Sequence, residues 1–549
     1  MSQSKFRRLI EQLETFARQK PRAYRTHVAL LAFLGYAYAI VLLGALVGMS
    51  SGIFSWLLSN HDASRPAMWI FGTVSVLAIA FLLLRVERLE ARGYMLQRRD
   101  APELFALLNE LSIQLDAPRI HRVYLTGDFN ASMIQAPKLG MFGWSENMLE
   151  VGVPLLKSLS VEQFRAVIAH EIGHLSKGHS RFCSWVYCIR QTWSQVLENL
   201  RRTDSPTNIL LVPFLSWYSP FFNAYSFVLA RSNEYEADRA AARVAGAKVF
   251  AESLIRIRLQ SQLLNQRFWP VFYRQANDDA NPPDSCFKAM FETLREGPSR
   301  ADAERWFEEA LADRTTTEDT HPSLASRLAA LGFVGVSAGP LDPGRPPMEL
   351  PDLSVGDTAD KLLGKSAPVY VARLDADWRW RILPIWRRRY VEAQKAFDIL
   401  GELDDRVMAG EITEEETWQR VALTAEYLGR EAAGPLLEEI LEFEPNEPRA
   451  LFALGLLKLD RDDVTGVRLV ERAMSREPSM IVTGCMAIYY CLRRVGKPQS
   501  AVAYRQRADR IRYPEEQEKL WKRSRRSAPY GGRLPDPVPA RLHPDDIVQ

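Results

Sequence analysis

The chain has 549 residues, of which 47% are apolar and 25% charged, and a formal net charge of +3. That length is too great for one ordinary core and points to two or three domains. The near-balanced charge, with no basic stripe interleaved with aromatics, argues against nucleic acid as a partner, and five cysteines (Cys183, Cys188, Cys286, Cys485, Cys491) without a CxxC pair suit buried thiols in a reducing compartment.

In chain order, residues 1–26 form a basic N-terminus. From His27 to Met49 there is no Asp, Glu, Lys or Arg, a run long enough to cross a bilayer. A second run, Ala67 to Leu84, just reaches spanning length, and the polar stretch Asn60 to Pro66 separates the two. Together they predict an N-terminal transmembrane helical hairpin over 27–86. The competing reading, a hairpin buried in a soluble core, is weaker because uncharged runs this long are rare there. Lys5, Arg7, Arg8, Arg18, Lys20, Arg22 and Arg25 precede the hairpin and Arg85, Arg88, Arg92, Arg98 and Arg99 follow it, against Arg65 alone in its loop. Positive charge is retained on the cytoplasmic side, so both ends are expected there.

Leu104, Leu107, Leu108 and Leu111 recur at helical spacing between Ala101 and Leu115. Val123 to Val151 predicts short strands and turns, including RVYLTG and MLEVGV. A helix should start after Ser160, its N-cap, with Gln163 as reciprocal capping-box partner and Leu159 and Phe164 as hydrophobic staple. It is expected to run from Val161 to about Lys177 and to stop near Gly178. The apolar stretch Ile209 to Leu229 is interrupted by Pro213 and Pro220 and is compatible with a third membrane contact or a buried amphipathic pair. A long helix is expected from about Phe221 to Ala245, ending at Gly246. The proline-rich stretch Pro340 to Pro351 reads as part of a linker over 336–387.

From there the chain turns charged and helical. LEEILEFEPN from Leu437 aligns with VERAMSREPS from Val470, and Glu444-Pro445 and Glu477-Pro478 stand 33 residues apart. That is close to the ~34-residue period of tetratricopeptide helix pairs, with a third unit over Ile481 to Arg510. A non-repetitive helical bundle is the alternative. The tail over 513–549, with its basic run Lys522 to Arg526 and later prolines, reads as disordered.

The chemistry concentrates in AVIAHEIGHLSKGH. His170 and His174, four residues apart on a helix, share a face and can grip one metal ion. Glu171 is placed beside them to take a proton from an attacking water. Imidazole ligands favour zinc over hard cations, which prefer oxygen. A catalytic zinc needs a third protein ligand and an open position. The HxxGxxH continuation is absent, and His179 falls off the metal-facing side. Better candidates lie in ARSNEYEADRAAARVAG, where Glu234 and Asp238 share a helix face and Glu236 is turned about 200° from Glu234. One of the pair would bind zinc and the other a zinc histidine.

Together with Asn130-Ala131 in DFNASM, LEVGVPLL, LSVEQFRAVIAHEIGHLSKGH, ARSNEYEADRAA and THPSLASRL, these residues resemble the HtpX and CAAX-prenyl-protease family of membrane zinc metallopeptidases. Order and spacing match from Glu87 to Leu331. The resemblance implies an α+β core, mainly helical with a small β-sheet and zincin-like, over 87–335. It implies one zinc per chain on His170, His174 and Glu234, Asp238 behind a zinc histidine, and Glu171 as catalytic base. It also implies that the segment from Asn130 and Ala131 offers a backbone edge to an extended substrate. His321 and Arg327 match the family's HP-x-x-x-x-R segment, where they either stabilise the oxyanion or brace the site. The chain departs from the family pattern in the proline-broken stretch before Glu234 and in the added helical-repeat region over 388–512. That region resembles periplasmic relatives that carry tetratricopeptide repeats but lack the hairpin.

The resulting expectation is a zinc endopeptidase of the cell membrane, multi-pass, with its catalytic domain facing the cytoplasm. Its partners would be polypeptide substrates, the lipid bilayer and proteins bound by the repeats, and its role the quality control of membrane proteins. The rival is a non-catalytic membrane scaffold recruiting proteins through the repeats, which the intact base and ligand set disfavour.

Overall fold

The computed structural model describes residues 3–57, 91–137, 145–175, 182, 185–186, 189–190, 208–313, 321–333, 349–351, 353 and 358–512. They fall into two units, one within Met1–Trp269 and Pro283–Trp380, the other within Pro270–Pro282 and Arg381–Gln549.

The first unit opens with helices α1 (Gln3–Gln19) and α2 (Pro21–Leu57). The first predicted span lies inside α2, several of whose side chains are outside the described set, and the second span, 67–84, lies wholly outside it. Among the described residues no helix is long and apolar enough to cross a membrane. The fold therefore shows one continuous helix where the first limb of a transmembrane hairpin was expected, and does not by itself establish the hairpin.

Strand β1 (Tyr94–Leu96), helix α3 (Pro102–Gln114) and strands β2 (Arg122–Thr126), β3 (Ala131–Pro137) and β4 (Ser145–Gly152) follow. The sheet order is β1-β2-β4-β3, with β2 and β4 parallel and the other pairs antiparallel. Val123, Leu125, Leu149 and Val151 are fully buried at alternating positions, as a half-buried strand requires. The four leucines of α3 are buried at the predicted spacing. Among the described residues strand β3 pairs only with β4 and forms one edge of the sheet.

After a short helix, α4 (Val153–Ser158), comes α5 (Val161–Gly173), which carries the HExxH motif. Both halves of the predicted Ser160–Gln163 capping box are present, and Leu159 and Phe164 are fully buried. The helix ends at His174, short of the expected Lys177.

Helix α6 (Asn208–Ala245) starts well before Phe221 and holds Pro213 and Pro220 within it. Proline removes a backbone hydrogen bond, and here tertiary packing compensates. Phe214 stacks on Tyr38 with ring centroids 3.7 Å apart, the Tyr218 hydroxyl donates to the Leu31 carbonyl at 2.9 Å, and Tyr24 stacks on Tyr225 at 5.8 Å. The proline-broken stretch is thus the first half of one helix lying against α2. The helix ends as predicted, and Gly246 takes a positive φ of 89°.

Helices α7 (Ala247–Leu263), α8 (Cys286–Glu296), α9 (Arg300–Ala312) and α10 (Leu324–Ala330) follow in the first unit. The stretch read as a linker contains α11 (Thr358–Leu363) and the start of α12 (Ala367–Ala409). Thr358 donates to the Leu159 carbonyl at 2.7 Å, and the Tyr370 hydroxyl bonds Asp100 at 3.0 Å. Residues 358–374 therefore pack as part of the first unit.

In the second unit the residues of α12 from Arg381 precede α13 (Glu414–Leu423), α14 (Gly434–Phe443), α15 (Pro448–Asp460), α16 (Thr465–Arg476), α17 (Ile481–Arg494) and α18 (Pro498–Arg512). Pairs α15–α16 and α17–α18 start at positions offset by the same 33 residues that separate the two Glu-Pro pairs. Their core is apolar, with Val467, Val470, Cys485, Ile488 and Cys491 fully buried. Cys286, Cys485 and Cys491 are free, buried thiols, while Cys183 and Cys188 lie outside the described residues.

Candidate metal centre

The HExxH helix and the carboxylate helix meet because small residues let them touch. A Cβ on Gly173 would stand 3.1 Å from the Cα of Ala237 and 3.2 Å from the Cβ of Ala240. That close crossing of α5 and α6 brings Glu234 opposite the histidine pair. The Nε2 atoms of His170 and His174 are 3.3 Å apart, and those of His170 and His174 lie 3.7 and 3.5 Å from the Glu234 carboxylate. One donor atom from each of the three residues fits within 4.8 Å of the others. Two Zn–N bonds of about 2.0–2.1 Å at a tetrahedral angle place their nitrogens about 3.3–3.4 Å apart, so the donor set fits zinc.

The second tier is built on Asp238, 1% exposed, whose carboxylate meets His170 Nδ1 at 3.0 Å. Arg327 grips the same carboxylate twice, Nη2 at 2.6 Å and Nε at 3.0 Å. Burial alone would raise the Asp238 pKa, but the bonds from His170 and Arg327 lower it to about 2. Asp238 is therefore an anion that engages the Nδ1 side of His170, while Nε2 is turned to His174 and the Glu234 carboxylate and could serve a metal. Burial, then the neighbouring His170, depresses His174 to about 4, so its ring is neutral and able to ligate at ordinary pH.

Glu171 sits beside the pair. Burial raises its carboxyl above the usual range, with Glu234 adding to the rise, while His170 opposes it. A carboxylate poised above its usual range suits a group that must both accept and return a proton. The backbone N–H of Met133 on β3 points to it.

His321 Nδ1 meets Glu234 at 2.8 Å with its side chain two-thirds exposed at 67%. That bond, opposed by burial, raises the His321 pKa. His321 thus touches the Glu234 carboxylate at the rim, while Arg327 lies inside and braces Asp238.

Ala131 opens the edge strand β3 and Asn130 immediately precedes it. The Asn130 carbonyl accepts from Gly152 N at 2.8 Å and is committed to the sheet. Alternation along an antiparallel strand then turns the backbone groups of Ala131, Met133 and Gln135 to the open edge. The backbone of Ala131 thus faces the open edge, and the Asn130 carbonyl faces β4. Sequence reasoning missed Gly173, whose signal was its place inside the motif, and Met133, visible only once the strand register is known. Glu236, expected to face away from the metal, bonds Arg25 of α2 at 2.9 Å.

Residues 110–332 match the sequence pattern of Peptidase family M48. Among similar proteins, the protein named Protease HtpX of Acinetobacter baylyi is 23% identical over 225 residues, covering 36% of this chain and 65% of its own length. Protease HtpX of Chromohalobacter salexigens is 28% identical over 142 residues, 23% of this chain and 47% of its own. Protease HtpX of Alcanivorax borkumensis is 26% identical over 255 residues, 42% of this chain and 82% of its own. The chain therefore spans less than two thirds of the length of the first two of these relatives. With the histidine pair, the facing glutamate and the Asp238–Arg327 brace at these distances, residues 110–332 are similar to peptidase family M48 and to proteins named Protease HtpX.

Proposed function

We propose that the chain is a zinc-dependent endopeptidase. The observation that carries this reading is the convergence of His170, His174 and Glu234 within 4.8 Å, with the raised carboxyl of Glu171 beside them. When bound there, zinc supplies a Lewis acid that polarises a carbonyl and acidifies water. Glu171 takes the proton of the attacking water and returns it to the leaving amine. The outward backbone groups of Ala131, Met133 and Gln135 hold an extended substrate by strand addition, which reads main chain and so gives broad specificity. For that pairing the Met133 N–H passes from Glu171 to the substrate, and the base is released as substrate arrives. His321, in contact with the Glu234 carboxylate at the rim, is placed to steady charge that develops on the substrate; Arg327 braces.

The test is the purified full chain with one equivalent of zinc, digesting casein with and without chelator, beside the Glu171→Gln variant. Casein cleavage that persists in zinc-free protein would refute the assignment.

The membrane reading also belongs to this proposal. After Arg25, helix α2 carries no Asp, Glu, Lys or Arg to its end at Leu57. Leu30, Phe33, Ile40 and Val41 expose 59–70% of their surface, a patch that water disfavours and lipid accepts. The basic flanks put the catalytic side in the cytoplasm, and membrane proteins needing removal are then the substrate class. Alkaline extraction should leave the chain in the membrane fraction, and a reporter fused after Arg99 should work only if it is active in the cytoplasm. The helix pairs over 448–512 resemble tetratricopeptide repeats and would bind protein partners. A chain ended at Ala409 should still cleave a short unstructured peptide.

A further inference from the structure

Helix α6 delivers Glu234 to the metal centre, yet Pro213 and Pro220 weaken that helix upstream. The turn from Arg231 to Asp238 therefore depends on its neighbours for position. On the site side the neighbours are α5, through Gly173, and α10, through Arg327. Away from the site they are α1 and the first turn of α2. Arg231 forms an ion pair with Glu14 of α1, and Arg231 also lies over the Phe227 ring at 4.5 Å. Arg25 Nη2 meets Glu236 Oε1 at 2.9 Å. The two pairs bracket Glu234, one from three residues before it and one from two residues after it. Behind them Ile10, Leu13, Tyr24 and Val28 are buried against Phe222, Phe227 and Val228. The Tyr24 hydroxyl donates to the Tyr225 carbonyl at 2.6 Å.

We infer that α1 and the first turn of α2 are a positioning element of the metal centre: the pairs Glu14–Arg231 and Arg25–Glu236 hold the turn of α6 that presents Glu234. This rests on the metal-site reading above and adds Glu14 and Arg25, which lie outside the 110–332 match, as partners of Arg231 and Glu236 within it. The four side chains of these pairs are partly buried, 12–36% exposed. Their effect is on geometry, since a ligand that must be recruited into place binds more weakly than one already held. Glu14, Arg25, Arg231 and Glu236 are positioning residues and touch neither substrate nor metal.

The test uses the full chain in detergent, loaded with zinc, and follows zinc release into excess chelator beside the melting of the zinc-free protein. The double variant Glu14→Gln/Arg25→Gln should release zinc about tenfold faster, the low end for groups that orient ligands, with the zinc-free melting temperature unchanged. The charge swap Arg25→Glu/Glu236→Arg should release zinc more slowly than Arg25→Glu alone. Release at the parental rate in the double variant overturns the inference. So does faster release that follows a lowered melting temperature and is not rescued by the swap. A parent chain that takes up no zinc overturns the metal-site reading and this inference together, which separates the two failures.

Discussion

At the crossing of α5 and α6 a Cβ on Gly173 would press on Ala237 at 3.1 Å, and in the helical unit a Cβ on Gly466 would stand 2.6 Å from the Gly455 carbonyl oxygen. Both crossings thus depend on a glycine for close approach. What lies beside the glycine differs. Around α5 and α6 the buried set includes His170, Glu234 and Asp238, tied by charge-assisted bonds. Around α15 to α18 it is Leu459, Val467, Val470, Met474, Cys485 and Ile488. Buried charge is costly unless paired, so a fold gains nothing by placing it where packing alone is needed. Chemistry lives in the crossing whose buried groups are polar and mutually satisfied, and not in the one whose glycines serve apolar packing.

The largest effect should come from removing a donor. Glu234→Ala should weaken zinc binding by more than ~100-fold, beyond the range seen for groups that merely orient ligands, while Glu236→Ala should cost far less. Equilibrium competition with a chelating dye measures both, and equal losses would sink the choice of ligand. Next, Glu171→Gln should keep zinc and lose at least ~10²-fold in peptide cleavage, the low end for a positioned general base. Elemental analysis with a fluorogenic peptide assay checks it, and near-normal turnover would move the base elsewhere.

Arg327→Met leaves the 1%-exposed Asp238 without its bidentate partner. Breaking a buried pair costs about 3–5 kcal/mol, and zinc affinity should fall about 10- to 100-fold. Denaturant titration and zinc competition read the two separately; a stable variant with parental affinity would show that Arg327 is not a brace. The smallest effects test the other side of the comparison. Gly466→Ala forces a Cβ onto backbone and should destabilise by about 1–3 kcal/mol, as overpacking does, with peptide cleavage per folded molecule unchanged. Gly484→Ala should cost less, because one of its nearest contacts, the Met474 sulfur at 2.7 Å, belongs to a flexible side chain. If Gly466→Ala abolished cleavage by folded protein, the division between chemical and packing crossings would fail.

Much of the centre could be read from one dimension. His170, Glu171 and His174 follow from a helical repeat of about 3.6 residues, and the capping box at Ser160 and Gln163 announced where their helix begins. The buried alternation of β2 and β4, the helix end at Gly246 and the repeat spacing of the second unit are likewise local patterns. Other features had no local signal. The start of α6 at Asn208 runs through two prolines that ordinarily end helices, and it is held against α2 by ring stacking on Tyr38 and Tyr24 and by the Tyr218 hydroxyl, which donates to the Leu31 carbonyl. Residues 358–374 sit in a stretch that composition marks as linker, yet they fasten to Leu159 and Asp100.

Spacing along the chain was enough to pair His170 with His174 and to set Glu171 beside them, because residues four apart on a helix share one face whatever surrounds it. The tertiary structure alone decided what those donors touch. Which carboxylate faces the histidines, that Arg327 holds Asp238, that Ala131 rather than Asn130 opens to the edge, and that Glu14 reaches Arg231 all depend on how separate elements cross. Contacts between residues 217 apart, as Glu14 and Arg231 are, leave no periodic trace, since they are set by the packing of whole helices and not by the spacing of neighbours along the chain.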